Sequence, residues 1–120
     1  MLDTYTIDIE EFIEKYESVN EKEKVILNIQ KFINSINDNN YNYAYNCLAD
    51  SFKNNYFSNV EDFKNYIENN FGNNIDISYI EFDTVAEKYY TYRVNISNRI
   101  QKTFIVQLGE GTDFKLSFDI

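Results

Sequence analysis

The sequence predicts an α+β domain, with amphipathic helices in its first half and an antiparallel sheet in its second. Apolar residues recur at spacings of three and four as far as Phe71, then alternate with period two from Ile75 onward. No Pro/Gly-rich linker and no internal repeat interrupts the 120 residues, a length that one core can serve. A hydrophobic fraction of 43% with 11 Tyr and 10 Phe is too apolar and aromatic for a disordered chain. Helices followed by a meander, instead of helices alternating with strands, make the class α+β.

Four helical stretches are expected. Over residues 8–17, Ile9, Phe12, Ile13 and Tyr16 form a short apolar face behind an Asp8-x-x-Glu11 start. Residues 21–37 carry the broadest stripe, Val25, Ile26, Ile29, Phe32, Ile33 and Ile36, with Asn20 as N-cap and Glu23 at the third position. A third helix is expected over 41–55, its face running Tyr41, Ala44, Tyr45, Leu48, Phe52 and on to Tyr56. Ser58-Asn59-Val60-Glu61 reads as a capping box for a fourth, over 59–71, with Val60, Phe63, Ile67 and Phe71 inward and Gly72 as the stop.

Four strands follow. Ile75, Ile77 and Tyr79, then Ile80 and Phe82, form the first, and its phase slip at 79–80 predicts a β-bulge there. Tyr90, Tyr92, Val94 and Ile96 alternate with polar residues in the second. Phe104, Val106 and Leu108 make the third, between the Asn98-Arg99 turn and Gly109-Glu110-Gly111. Phe114, Leu116, Phe118 and Ile120 make the fourth. The even-numbered apolar residues of 90–96 and 114–120 should share the helix-facing side, with Phe32, Leu48, Phe63, Val94 and Phe104 buried between the layers.

Charge and composition remove several functions. The net charge is -9, so the basic surface that neutralises phosphates is missing and nucleic acid is excluded as a partner. Residues 1–20 form an acidic segment of their own, and the excess runs on through Glu21 and Glu23; it reads as a solvated helical face, or alternatively as a docking surface for a basic partner. No apolar run is long enough to span a bilayer. Without His, and with Cys47 alone, the chain lacks the usual acid/base residue, an internal disulfide and a thiolate metal cage. Eighteen Asn residues, together with abundant Ile, Lys, Tyr and Phe, suit an AT-rich bacterial or phage genome and make Asn-rich stretches background.

From Glu21 to Ile120 the order of elements resembles the nuclear-transport-factor-like, or cystatin-like, α+β cone. The resemblance lies in Phe32-Ile33, then Asn40-Tyr41-Asn42-Tyr43-Ala44-Tyr45 with Leu48, Phe52-Lys53, Tyr56-Phe57 and Glu61-Asp62-Phe63. These are similar to the first three helices of small bacterial members, which often sit outside the membrane behind one anchoring helix. The resemblance implies residues 21–120 as a cone domain: a curved four-stranded sheet wrapped against the helices, open at one mouth. It further implies a setting on the outer side of a bacterial membrane, behind an anchor absent from this chain. Ketosteroid-isomerase-like and dehydratase-like relatives work with an Asp base, a Tyr or acid donor, or a His-Asp pair inside the cone. The His-Asp version has no residue to use here. For the Asp/Tyr version, Asp50, Asp76 and Asp83 coexist with Tyr45, Tyr79, Tyr90 and Tyr92, with no motif that singles out a pair.

Other patterns resolve into structure. Gln107-Leu108-Gly109-Glu110-Gly111 departs from the cystatin inhibitory hairpin at Gly109 and reads as a strand-ending turn. Asp38 to Asn42 begins like a calcium loop, but Tyr43 and Ala49 stand where Gly and Glu are needed. Cys47 has no neighbouring cation in sequence and reads as an inert buried thiol. Asn95-Ile96-Ser97 fits a glycosylation sequon but reads as strand.

The leading reading is a non-catalytic binding or assembly domain of a bacterial cell-envelope protein. No residue pattern points to a catalytic group, a metal ligand or a cofactor. Tyr45, Phe52, Tyr90, Tyr92 and Phe104 are the candidate ligand-binding residues, placed to line or partly plug the cone's mouth. The expected partner is a protein or a small apolar ligand, with a homodimer through the sheet face as a further expectation. The alternatives are a small-molecule isomerase or dehydratase of the ketosteroid-isomerase-like type, and an acidic protein of phage or cytoplasmic origin that occupies a basic surface.

Overall fold

The computed structural model describes residues 20–72, 74–96 and 100–120. Within them four helices, α1 (Glu21–Asn37), α2 (Tyr41–Asn46), α3 (Asp50–Tyr56) and α4 (Val60–Asn70), precede four strands, β1 (Ile77–Ala86), β2 (Tyr89–Ile96), β3 (Ile100–Leu108) and β4 (Phe114–Phe118). The strands form one antiparallel sheet in the order β1-β2-β3-β4, not closed into a barrel. The class is α+β. The helix expected over 8–17 and the Asn98-Arg99 turn lie outside the described residues.

Helix α1 starts as its sequence demands. The Asn20 side chain accepts from the Glu23 N–H at 2.9 Å, and its amide donates back to the Glu23 carboxylate at 3.1 Å, a reciprocal cap. Val25, Ile29, Phe32, Ile33 and Ile36 are buried along one stripe. Helix α4 is capped by Asn59, which accepts from the Asp62 N–H at 2.9 Å, so the N-cap falls one residue later than the expected Ser58. Gly72, at φ +83°, donates to the Ile67 carbonyl and ends that helix in the left-handed conformation that a side chain resists.

The expected single helix over 41–55 is two helices. Between α2 and α3 the chain turns extended at Leu48, which forms a parallel bridge with Leu116. The Leu116 N–H donates to the Cys47 carbonyl at 2.9 Å, and the Ala49 N–H donates to the Leu116 carbonyl at 2.8 Å. β4 is an edge strand whose outward main-chain groups need partners, and that requirement overrides the helical apolar pattern. Leu48 remains fully buried, while Tyr56, placed on the apolar face by its spacing, is 55% exposed.

In β1 the bulge falls at Ser78, not at 79–80. Ile77 faces Ile96 and Tyr79 faces Asn95, so one extra residue separates the two pairs. Ile77, Ile80 and Phe82 therefore share the helix side, whereas Tyr79 lies on the outer face. A second register shift follows between Phe82 and Thr84, and the strand continues to a two-residue turn at Glu87-Lys88. Ile75 lies outside the ladder, and the Asn37 side chain stands in for a neighbouring strand: its amide donates to the Ile75 carbonyl at 2.8 Å and its oxygen accepts the Ile75 N–H at 2.7 Å.

Phe32, Leu48, Phe63, Val94 and Phe104 are all fully buried, as expected. Tyr90, Tyr92, Val94 and Ile96 share the helix-facing side with Phe114, Leu116 and Phe118. Ile120 does not: the ladder ends early because the Asp119 carboxylate takes the Thr103 N–H at 2.8 Å, and Ile120 is left 52% exposed. Phe63 packs its ring 5.5 Å from that of Phe57 and 6.2 Å from that of Phe32. Phe63→Ala should lower unfolding stability by about 3–5 kcal/mol in urea titration, and Ile120→Ala by about 0.5 kcal/mol or less. Equal effects of the two would contradict this layering.

Candidate functional site

The five aromatic residues singled out from the sequence do not meet in one cavity. Tyr45, on α2, is half-buried; its hydroxyl donates to the Phe57 carbonyl at 2.8 Å, and the Lys53 ammonium lies 5.1 Å from its ring centre. Phe52, on α3, is buried with its ring 4.9 Å from Phe118. Phe104 is fully buried, edge-on to Phe32 at 6.2 Å. Tyr92 is buried beside Phe82, and its hydroxyl donates across the layers to the Lys22 carbonyl at 2.9 Å. Tyr90 is buried near the N-terminus of α1, where burial and the neighbouring Glu21 carboxylate raise its pKa. These side chains fill the space between helices and sheet.

The carboxylates considered for catalysis lie elsewhere. Asp50 and Asp76 are exposed. Asp83 sits on the sheet, 3.3 Å from the Arg93 guanidinium, which also holds Glu81 at 2.7 Å. The guanidinium keeps the Glu81 carboxyl below its ordinary range by hydrogen bond and charge. Among the described residues no group of three acidic or thiol side chains is placed to hold a metal ion.

A groove of about 550 Å³ opens between α2 and the β3–β4 hairpin. Tyr43, Asn46 and Cys47 form its helix wall, and Gly109, Thr112 and Phe114 form part of the hairpin wall. The hairpin is closed by a Gly109 N–H bond to the Asp113 carbonyl at 2.8 Å, with Gly111 at φ +58°. Lys115 reaches across the strand edge, and its ammonium donates to the Asn46 carbonyl at 2.8 Å. None of the five sequence-predicted residues lines this groove. It depends on where α2 stops, which the apolar spacing of 41–56 does not mark; the Gly109-Glu110-Gly111 turn is the one sequence feature that locates its far wall.

Cys47 is the thiol that lines the groove, and it is poorly suited to react. Burial pushes its thiol up from about 9.0 to about 11, outweighing a Tyr43 hydrogen bond and the Lys115 and Lys31 charges. Compared with known proteins, the chain matches no family model, no curated protein and no solved structure.

The buried Cys47 and Tyr92 make alkaline pH the vulnerable side. Both are neutral when protonated, and the fold raises Cys47 to about 11 and Tyr92 from 10.0 to about 12. The unfolded chain gives up these protons first, so their contribution is whole below pH 9 and is lost as pH rises from 9 toward 11 for Cys47 and from 10 toward 12 for Tyr92. The urea midpoint should fall through that window, and Cys47→Ala should flatten its first part. A midpoint independent of pH up to 11 would contradict these burial-driven shifts.

Proposed function

We propose that this domain is a non-catalytic binding or assembly domain that acts through its surface. The observation that carries the reading is the filled interior: Phe32, Phe63, Phe104 and Phe118 meet at ring separations of 5.5 to 6.2 Å. In an isomerase of the ketosteroid type that volume would hold substrate and a desolvated carboxylate. In this chain it holds side chains, and Asp50, Asp76 and Asp83 face outward. The setting in a bacterial cell envelope rests on the resemblance of the helices to nuclear-transport-factor-like bacterial domains. A protein partner or a second copy is favoured over an enclosed apolar ligand, because Tyr79, Tyr89 and Ile105 remain exposed on the sheet.

The reading is tested with a 5-ene-3-ketosteroid added to isotope-labelled protein. The expected result is no saturable shift at Phe32, Phe63 or Phe104 and no gain of conjugated-enone absorbance over buffer. Saturable interior shifts, or turnover, would overturn it.

A further inference from the structure

We propose that the open end of the β4 edge, where it borders the groove, is a docking site for a short extended peptide held by main-chain hydrogen bonds. The proposal deepens the binding-domain reading and rests on it.

Residues of β4 alternate in the direction of their main-chain groups. Across the β3–β4 ladder the Gly109 N–H donates to the Asp113 carbonyl, and the Asp119 N–H donates to the Thr103 carbonyl while the Thr103 N–H donates to the Asp119 carboxylate. Gln107 with Lys115 and Ile105 with Ser117 continue that set in the same register. The pairs between them, Leu108 with Phe114, Val106 with Leu116 and Phe104 with Phe118, turn their main chain away from β3. Leu116 confirms the direction, since its N–H and C=O reach Cys47 and Ala49 on the far side.

Phe114 presents the same two groups two residues earlier. Continued backward in parallel register from Leu48, the neighbouring chain would bring Asn46 beside it. Instead residues 41–46 coil into α2, and the Phe114 N–H and C=O face the groove with no main-chain partner among the described residues. The strand pairing begun by Cys47, Leu48 and Ala49 thus stops one step short, and the space left is the groove.

A peptide in extended form supplies the missing donor and acceptor at strand spacing and continues a pairing the edge already makes. At about 3.3 Å per residue, three residues cover Asn46 to the hairpin turn. The opposite sheet edge is less suited to such addition. β1 carries register shifts at Ser78 and Asp83 and the charges of Glu81 and Asp83, devices that discourage strand pairing. Beside Phe114, the half-buried Thr112 lines the groove and Lys115 is already bonded to Asn46.

The test uses the full chain, isotope-labelled, titrated with acetyl-Thr-Val-Thr-Val-Thr-amide and with the same peptide N-methylated at its central residue. The expected result is saturable shifts at Asn46, Thr112, Phe114 and Lys115, with Phe114 amide exchange slowed by about tenfold or more at saturation. The N-methylated peptide should lose that slowing, and Asn46→Trp, at an exposed position on the groove wall, should weaken binding by about tenfold or more while leaving the remaining spectrum unchanged. No shift at about 1 mM peptide, shifts confined to β1, or equal binding of the N-methylated peptide would each overturn the site. A silent peptide with the interior still closed to steroid removes this site and leaves the binding-domain reading standing. Steroid entry removes that reading whatever the peptide does.

Discussion

The structure depends on the seating of Phe118. Its ring lies 4.9 Å from Phe52, 5.4 Å from Phe71, 5.5 Å from Phe104, 6.0 Å from Tyr66 and 6.2 Å from Phe32. One side chain on the last strand therefore touches α1, α3, α4, the end of α4 and β3. Aromatic pairs of this kind add about 0.5–1.5 kcal/mol each beyond the area they bury, and these share a centre. The pairings are tilted and edge-on with one stacked, as ring quadrupoles favour. A sheet held against helices in this way leaves its interior occupied.

β4 performs a second task with its main chain. Phe114, Leu116 and Phe118 point inward, while the peptide groups of the same residues point sideways from the sheet. At Leu116 those groups take the chain between α2 and α3 as a partner, which divides the expected helix and buries Leu48. At Phe114 they meet the groove. The break in the helix and the groove are thus two results of one requirement, the pairing of an edge strand, met at one residue and open at the next. Burial of Cys47 at this junction follows from the same bridge, and its raised pKa is the chemical consequence.

Much of the fold is legible in the residue pattern, and the exceptions share a cause. Hydrophobic spacing reports which side chains leave water, so α1, α4 and the inward faces of β2 and β4 can be read directly, and so can the burial of Phe32 and Phe63. It carries no record of main-chain partners. Hence the helix expected through Cys47, Leu48 and Ala49 is broken, the bulge lies at Ser78, Ile75 pairs with the Asn37 side chain, and Asp119 closes the ladder before Ile120. The same distinction governs the site. Tyr45, Phe52, Tyr90, Tyr92 and Phe104 are legible as inward-facing, but inward here means packed: Tyr92 spends its hydroxyl on Lys22 and Tyr45 on Phe57. The groove beside Phe114 is defined by peptide groups that every residue possesses, so no residue type announces it.

The central claim, that the protein fills its own interior around Phe118, is most directly tested by xenon-pressurised crystallography. Xenon occupies apolar cavities that protein atoms leave empty. The expected map shows no xenon among Phe32, Phe63, Phe104 and Phe118 in the native chain, and a xenon peak there in Phe118→Ala. A well-occupied xenon site among those rings in the native protein would contradict the account, because it would reveal room for a ligand where packed side chains are required.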